Sequence, residues 1–179
     1  MRRRGNAEIV GVALAATVLM DLTAARKLMV DRDIRGRGVR DPRVLDALAQ
    51  VAREAFISAD LVDVAYDDRP LPIEAGQTIS QPYIVAVMAE ALRLTASDRV
   101  LEIGTGSGYA AAVLARVAAQ VFTIERHAEL AESARERLGR LGFDNVEVRC
   151  ADGTCRFASR ASERTSTGAR SSVRFSSYP

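Results

Sequence analysis

The chain has 179 residues, 48% of them hydrophobic and 27% charged, which allows one globular domain with its own core. Its net charge of +2 comes from the end of the chain: residues 155–179 hold five Arg and one acid, Glu163, and without them the net charge is about −2. That balance argues against nucleic acid as a partner, and two cysteines (Cys150, Cys155) with one histidine (His127) are too few ligands for a zinc site, so no metal is expected.

Residues 1–22 begin with three arginines ahead of a 12-residue apolar run, Ile9 to Met20. The run is too short to span a bilayer comfortably, so no stable membrane insertion is expected. Two readings stay open: a signal-like segment, or an additional N-terminal helix or stretch added by an upstream start codon. The first implies export; the second leaves the protein in the cytoplasm.

Residues 23–154 carry a regular pattern and form the expected domain. Asp41-Pro42 is a helix start, an N-cap followed by proline at the first helical position. Val44, Leu45, Leu48, Val51, Ala52 and Ala55 continue at helical spacing. Residues 67–83, DDRPLPIEAGQTISQPY, read as a loop. Pro82 opens a helix expected to reach Leu94. A strand over Arg99–Ile103, a glycine turn and a helix over Tyr109–Ala118 follow. Next come a strand over Gln120–Glu125, a helix over Glu129–Leu138 stopped by Gly139, and a strand over Val146–Cys150. Strands alternating with helices over short links predict an α/β fold with a parallel sheet.

The turn itself reads VLEIGTGSGY, with Gly104, Gly106 and Gly108 at alternate positions. The dinucleotide fingerprint has its third glycine three residues after the second, so the spacing differs here. Glu102 lies just before the turn, and Glu125 closes the next strand, where an acid can accept hydrogen bonds from a ribose. Two acids around a glycine turn suit an adenosine ligand bearing a positive charge, S-adenosyl-L-methionine, better than a pyrophosphate.

VLEIGTGSGY resembles motif I of the class I methyltransferases, and VFTIER the motif after it. DRPLPIEAGQTISQPYIVAVM, RGRGVRDPRVLDALAQVAREAF and VEVRCADGT are similar to segments of the protein-L-isoaspartate O-methyltransferases. The resemblance covers roughly residues 30–154. It implies an incomplete class I methyltransferase (Rossmann-like) sheet with an N-terminal helical extension. It also implies methyl transfer from S-adenosyl-L-methionine to the carboxylate of L-isoaspartyl residues in damaged proteins, by a monomer. The alternatives are another class I methyltransferase, acting on a small molecule or nucleic acid, and an inactive fragment of the repair enzyme.

Carried onto this sequence, the resemblance makes Ser80 the active-site serine and lays Gln77, Thr78 and Ile79 along the peptide. It gives Glu102, Gly104, Thr105, Gly106 and Gly108 to the methionine end of the cofactor, Glu125 to the ribose and Asp152 to the adenine side. Ser80 has a competing reading as the N-cap before Pro82. Tyr109 reads equally as a ring near the cofactor and as a helix residue packed on the sheet. The acceptor carboxylate, with an unperturbed pKa of about 4, is ionised at neutral pH and needs no general base.

Residues 155–179, CRFASRASERTSTGARSSVRFSSYP, show no sustained period and are expected to be disordered. The strand at Arg99–Ile103 should then lack a neighbour on one side. The abrupt change of character after Thr154 is expected of a truncated or frameshifted reading of a longer gene.

Overall fold

A computed structural model describes residues 22–152 and the backbone of 173–176. The signal-like segment and most of the Ser/Arg-rich tail lie outside the described residues. Helix α1 is described over 22–29 and runs into a π-helical turn, Val30–Ile34. Among the described residues no helix is long and apolar enough to cross a membrane.

Helix α2 spans Pro42–Gln50 and starts as its sequence dictates. Asp41 is the N-cap, its side chain accepts the Arg43 amide at 2.9 Å, and Pro42 fills the first turn. The Glu90 carboxylate takes the Arg40 and Asp41 amides, at 2.6 and 2.7 Å, and so ties α2 to helix α3, Pro82–Ala91. The apolar spacing predicted more helix beyond Gln50, but Val51 turns extended (ψ 117°) and a 3₁₀ turn over Arg53–Phe56 follows. That break turns Arg53 and Phe56 into the core.

The predicted loop over 67–83 contains a small hairpin. Strand β1, Leu71–Pro72, pairs antiparallel with β2, Thr78–Ile79. Its tip turns through Ala75 and Gly76, both at positive φ.

The three strands expected between Arg99 and Cys150 form with the predicted bounds: β3 Arg99–Ile103, β4 Gln120–Glu125 and β5 Val146–Cys150. They pair in parallel, with Glu102 opposite Thr123 and Glu125 opposite Cys150. Helix α4, Tyr109–Ala115, links β3 to β4, and every one of its seven residues is buried. Helix α5, Ala128–Arg140, links β4 to β5. It does not stop at Gly139; the left-handed residue that ends it is Gly142, at φ 77°.

One expectation is corrected. Backbone residues Val173–Ser176 form strand β6, parallel to β3 in the order β5-β4-β3-β6. The tail is therefore not irregular throughout, and β3 has neighbours on both sides. A buried parallel strand leaves few unpaired N–H and C=O groups, and this pairing meets that requirement. The sheet's C-terminal edge, where an open α/β sheet places its ligands, carries the glycine turn.

Candidate functional site

The glycine turn leaves β3 at Gly104 and reaches α4 at Tyr109. Gly104, Gly106 and Gly108 have φ of 92°, 52° and 91°. These are left-handed values that a side chain disfavours, which explains the alternate spacing. The first amides of the turn are already used. Those of Gly104 and Thr105 both donate to the Ile124 carbonyl, at 2.8 and 3.2 Å. The Gly106 amide donates to Glu125 Oε2 at 2.9 Å, and the Gly108 amide to the Thr105 carbonyl. A phosphate cradle needs several free amides aimed outward, and this turn does not offer them.

Glu125 closes β4 and is 4% exposed. Its Oε1 accepts the His127 amide at 3.0 Å while Oε2 holds Gly106. Each oxygen keeps a lone pair for another donor, such as a sugar hydroxyl.

Above the turn lies the hairpin. A Cβ placed on Gly106 would sit 3.5 Å from Ile73 Cδ1, so the hairpin rests directly on the glycines. Arg137 fastens the two from the other side: it donates to the Ser107 carbonyl at 2.8 Å and approaches Glu74 of the hairpin tip at 3.5 Å. Between hairpin, α3 and turn opens a cleft of about 530 Å³, lined by Gln77, Thr78, Ser80, Gly104, Gly106 and Glu125, with an apolar wall that includes Ile84 and Met88. This volume falls within the range for small-molecule sites.

The structure thus brings six of the expected site residues to one cleft and sends the others elsewhere. Ser80 faces the cleft and is not the N-cap of α3. That position is Gln81, and the cap comes from Asp68, which accepts the Tyr83 amide at 2.9 Å and the Gln81 side chain at 2.8 Å. Among the described residues the Ser80 hydroxyl has no hydrogen-bond partner, so it remains available for a ligand.

The Ile79 side chain is 3% exposed and packs in the core, so only its backbone is placed to run along a peptide. Strand alternation sends it opposite to its neighbours Thr78 and Ser80. Gly108 lies behind the cleft, where a Cβ would meet Leu138 of α5 at 3.2 Å, so its smallness serves helix packing. Thr105 is buried and bonds to Thr123 at 2.7 Å. Asp152 is exposed at the C-terminal end of the sheet and lies outside the cleft lining. Tyr109 is buried to 1% exposure against Phe56, which decides for packing.

Glu102 lies apart from the cleft. It is 0% exposed and lies beneath the turn, outside the cleft lining. Its Oε2 accepts from Thr123 at 2.6 Å, and Oε1 has no partner. Burial pushes its carboxyl up to about 8; the Thr123 hydrogen bond opposes the rise and the Glu125 charge adds to it. The rise disfavours a charge on Glu102, and of the two acids only Glu125 lines the cleft. Sequence reasoning also passed over Arg53, Asp68 and Arg137. Each acts on segments distant in the chain, and no local pattern marks it.

The model of the protein-L-isoaspartate(D-aspartate) O-methyltransferases matches residues 24–166. The chain belongs to that family. The match runs twelve residues past Thr154, where the resemblance was expected to end. Among curated relatives, protein-L-isoaspartate O-methyltransferase 2 of Pelobacter propionicus is 60% identical over 129 residues, 72% of this chain and 57% of its own. Protein-L-isoaspartate O-methyltransferase 1 of Rhodopseudomonas palustris is 60% identical over 131 residues, 73% of this chain and 54% of its own. The chain thus spans somewhat over half the length of these relatives.

Solved structures agree. A protein-L-isoaspartate O-methyltransferase superposes with TM-score 0.64 at 32% identity, over 71% of this chain and 42% of that one. The Plasmodium falciparum protein described as a putative member of the family also gives 0.64, at 25% identity, over 77% of this chain and 68% of that one. That structure contains S-adenosyl-L-homocysteine. The fold is a partial class I methyltransferase sheet.

Proposed function

We propose that this chain binds S-adenosyl-L-methionine and transfers its methyl group to the free carboxylate of L-isoaspartyl residues in damaged proteins. The observation that carries the reading is the meeting of the Ser80 hairpin with the Gly104–Gly106 turn and Glu125 in one cleft. The acceptor-presenting loop and the candidate cofactor turn share walls there.

The residues present fit the cofactor. Gly104 and Gly106 line the cleft without side chains, Glu125 offers a carboxylate with spare lone pairs, and the consumed amides disfavour a pyrophosphate. When bound, the cofactor supplies an electrophilic methyl on a sulfonium, whose departure as a neutral thioether drives transfer. Ser80 donates one hydrogen bond to the acceptor carboxylate, leaving the other oxygen to attack in line. Gln77 and Thr78 lie along the peptide. The acceptor is charged from the start, so the protein's work is alignment, which is worth many orders of magnitude in rate. The same reading takes the protein to act as a cytoplasmic monomer without a nucleic-acid partner, in keeping with the net charge of about −2 outside its last 25 residues.

The test uses methyl-labelled cofactor and two peptides identical except for Asp or isoAsp at one position. Label on the isoAsp peptide alone is expected. Equal labelling of both, or of neither, contradicts the proposal.

A further inference from the structure

Arg53 is the largest fully buried side chain among the described residues. Its guanidinium donates to the Ser80 carbonyl at 2.8 Å and to the Arg69 carbonyl at 3.3 Å, while Nε has no partner. It lies over the Tyr109 ring, 4.9 Å from the centroid. Phe56 packs edge-on against the same ring at 5.7 Å. Among the described residues no carboxylate forms an ion pair with Arg53; Asp68 acts on it only at longer range. Burial lowers the pKa of the group, yet an arginine stays charged.

A buried cation without a carboxylate partner is a costly way to fill a core. An apolar side chain of similar volume is often as stable or more so. The contacts show what the charge does instead. One face grips the two ends of the hairpin segment, at Arg69 and Ser80. The other rests on Tyr109, the residue after Gly108 and the first of α4. The guanidinium therefore spans the acceptor loop and the cofactor turn.

We propose that Arg53 is a positioning residue of the transfer site, fixing the Ser80 peptide in register with the glycine turn through Tyr109. The proposal rests on the functional reading above and deepens it. Lysine retains the charge but has no planar fork to hold two carbonyls and stack on a ring at once. Methionine retains bulk alone.

The experiment titrates S-adenosylhomocysteine by calorimetry, and then an isoaspartyl hexapeptide onto the saturated protein. Wild type, Arg53→Lys and Arg53→Met are compared, with urea unfolding beside them. Expected is S-adenosylhomocysteine affinity within about twofold of wild type, peptide affinity at least about tenfold weaker, and an unfolding midpoint for Arg53→Met that is equal or higher. Peptide affinity equal to wild type, or both affinities falling in step with the midpoint, overturns the proposal. Hydrogen exchange on the wild type needs no variant. The hydrogen-bonded amides of 71–83 should open together with those of α4, and independent opening also overturns it. If the wild type takes up neither ligand, the functional reading has failed and the proposal falls with it; if it binds both and the variants bind both alike, only the proposal has failed.

Discussion

Glu125 Oε2 accepts the Gly106 amide at 2.9 Å, so the acid that ends β4 also shapes the turn that ends β3. One carboxylate thereby sets the turn's conformation and supplies the cleft's negative charge. Replacing Glu125 by Ala removes both. A hydrogen bond to a charged group contributes roughly 1.5–3 kcal/mol, so S-adenosylhomocysteine affinity should fall about 10- to 100-fold in Glu125→Ala. Calorimetry checks this; an unchanged dissociation constant would place the cofactor elsewhere.

Ser80 lines the cleft without capping α3. Ser80→Ala should therefore leave stability within about 0.5 kcal/mol, as is usual for surface changes away from special features. It should lower isoaspartyl methylation about 10-fold or more, with cofactor affinity unchanged. A stability loss of about 1 kcal/mol or more in urea, without loss of methylation, would restore the capping role.

Asp68 performs the capping instead. Its carboxylate holds the Tyr83 amide and the Gln81 side chain, and pairs with Arg37 at 2.6 Å. Asp68→Ala should cost about 0.5–2 kcal/mol, the range for a lost N-cap. The exposed ion pair adds little. Urea denaturation of the variant reads this directly, and an unchanged midpoint would rule out the cap.

Glu102 makes a pH prediction. Its carboxyl titrates near 8 in the fold and near its ordinary 4.5 once unfolded. The folded state thus holds a proton that the unfolded state has lost between those values. Stability must then fall as pH rises from about 4.5 to 8, and level off above. The total is of the order of a few kcal/mol. Glu102→Gln should lack this slope and exceed wild type in stability at pH 8.5. Superimposable pH profiles from urea unfolding of the two proteins would show that Glu102 keeps an ordinary pKa.

Much of the fold was legible because it is local. The strands β3, β4 and β5 are short apolar runs between turn signals, and their bounds were read correctly. Helix ends were less so. Gly139 looked like a stop, but a helix tolerates an internal glycine at modest cost, and Gly142 at φ 77° is the residue that needs the left-handed conformation. The apolar spacing beyond Gln50 concealed a break that carries Arg53 inward. Arg53 itself was illegible, since its partners lie 16 and 27 residues away. The burial of Glu102 was not legible, because strand direction is visible in sequence while the covering of a face is not. Val173–Ser176 was missed for a related reason: a four-residue strand becomes recognisable only beside β3.

The account depends on the cleft between the Ser80 hairpin and the Gly104–Gly106 turn accepting a sulfonium nucleoside. Calorimetric titration of the purified chain with S-adenosyl-L-methionine, beside an equal titration with NAD, measures this most directly. Saturable one-to-one binding of S-adenosyl-L-methionine with no heat from NAD is the predicted result. Binding of NAD, or of neither ligand, would contradict it.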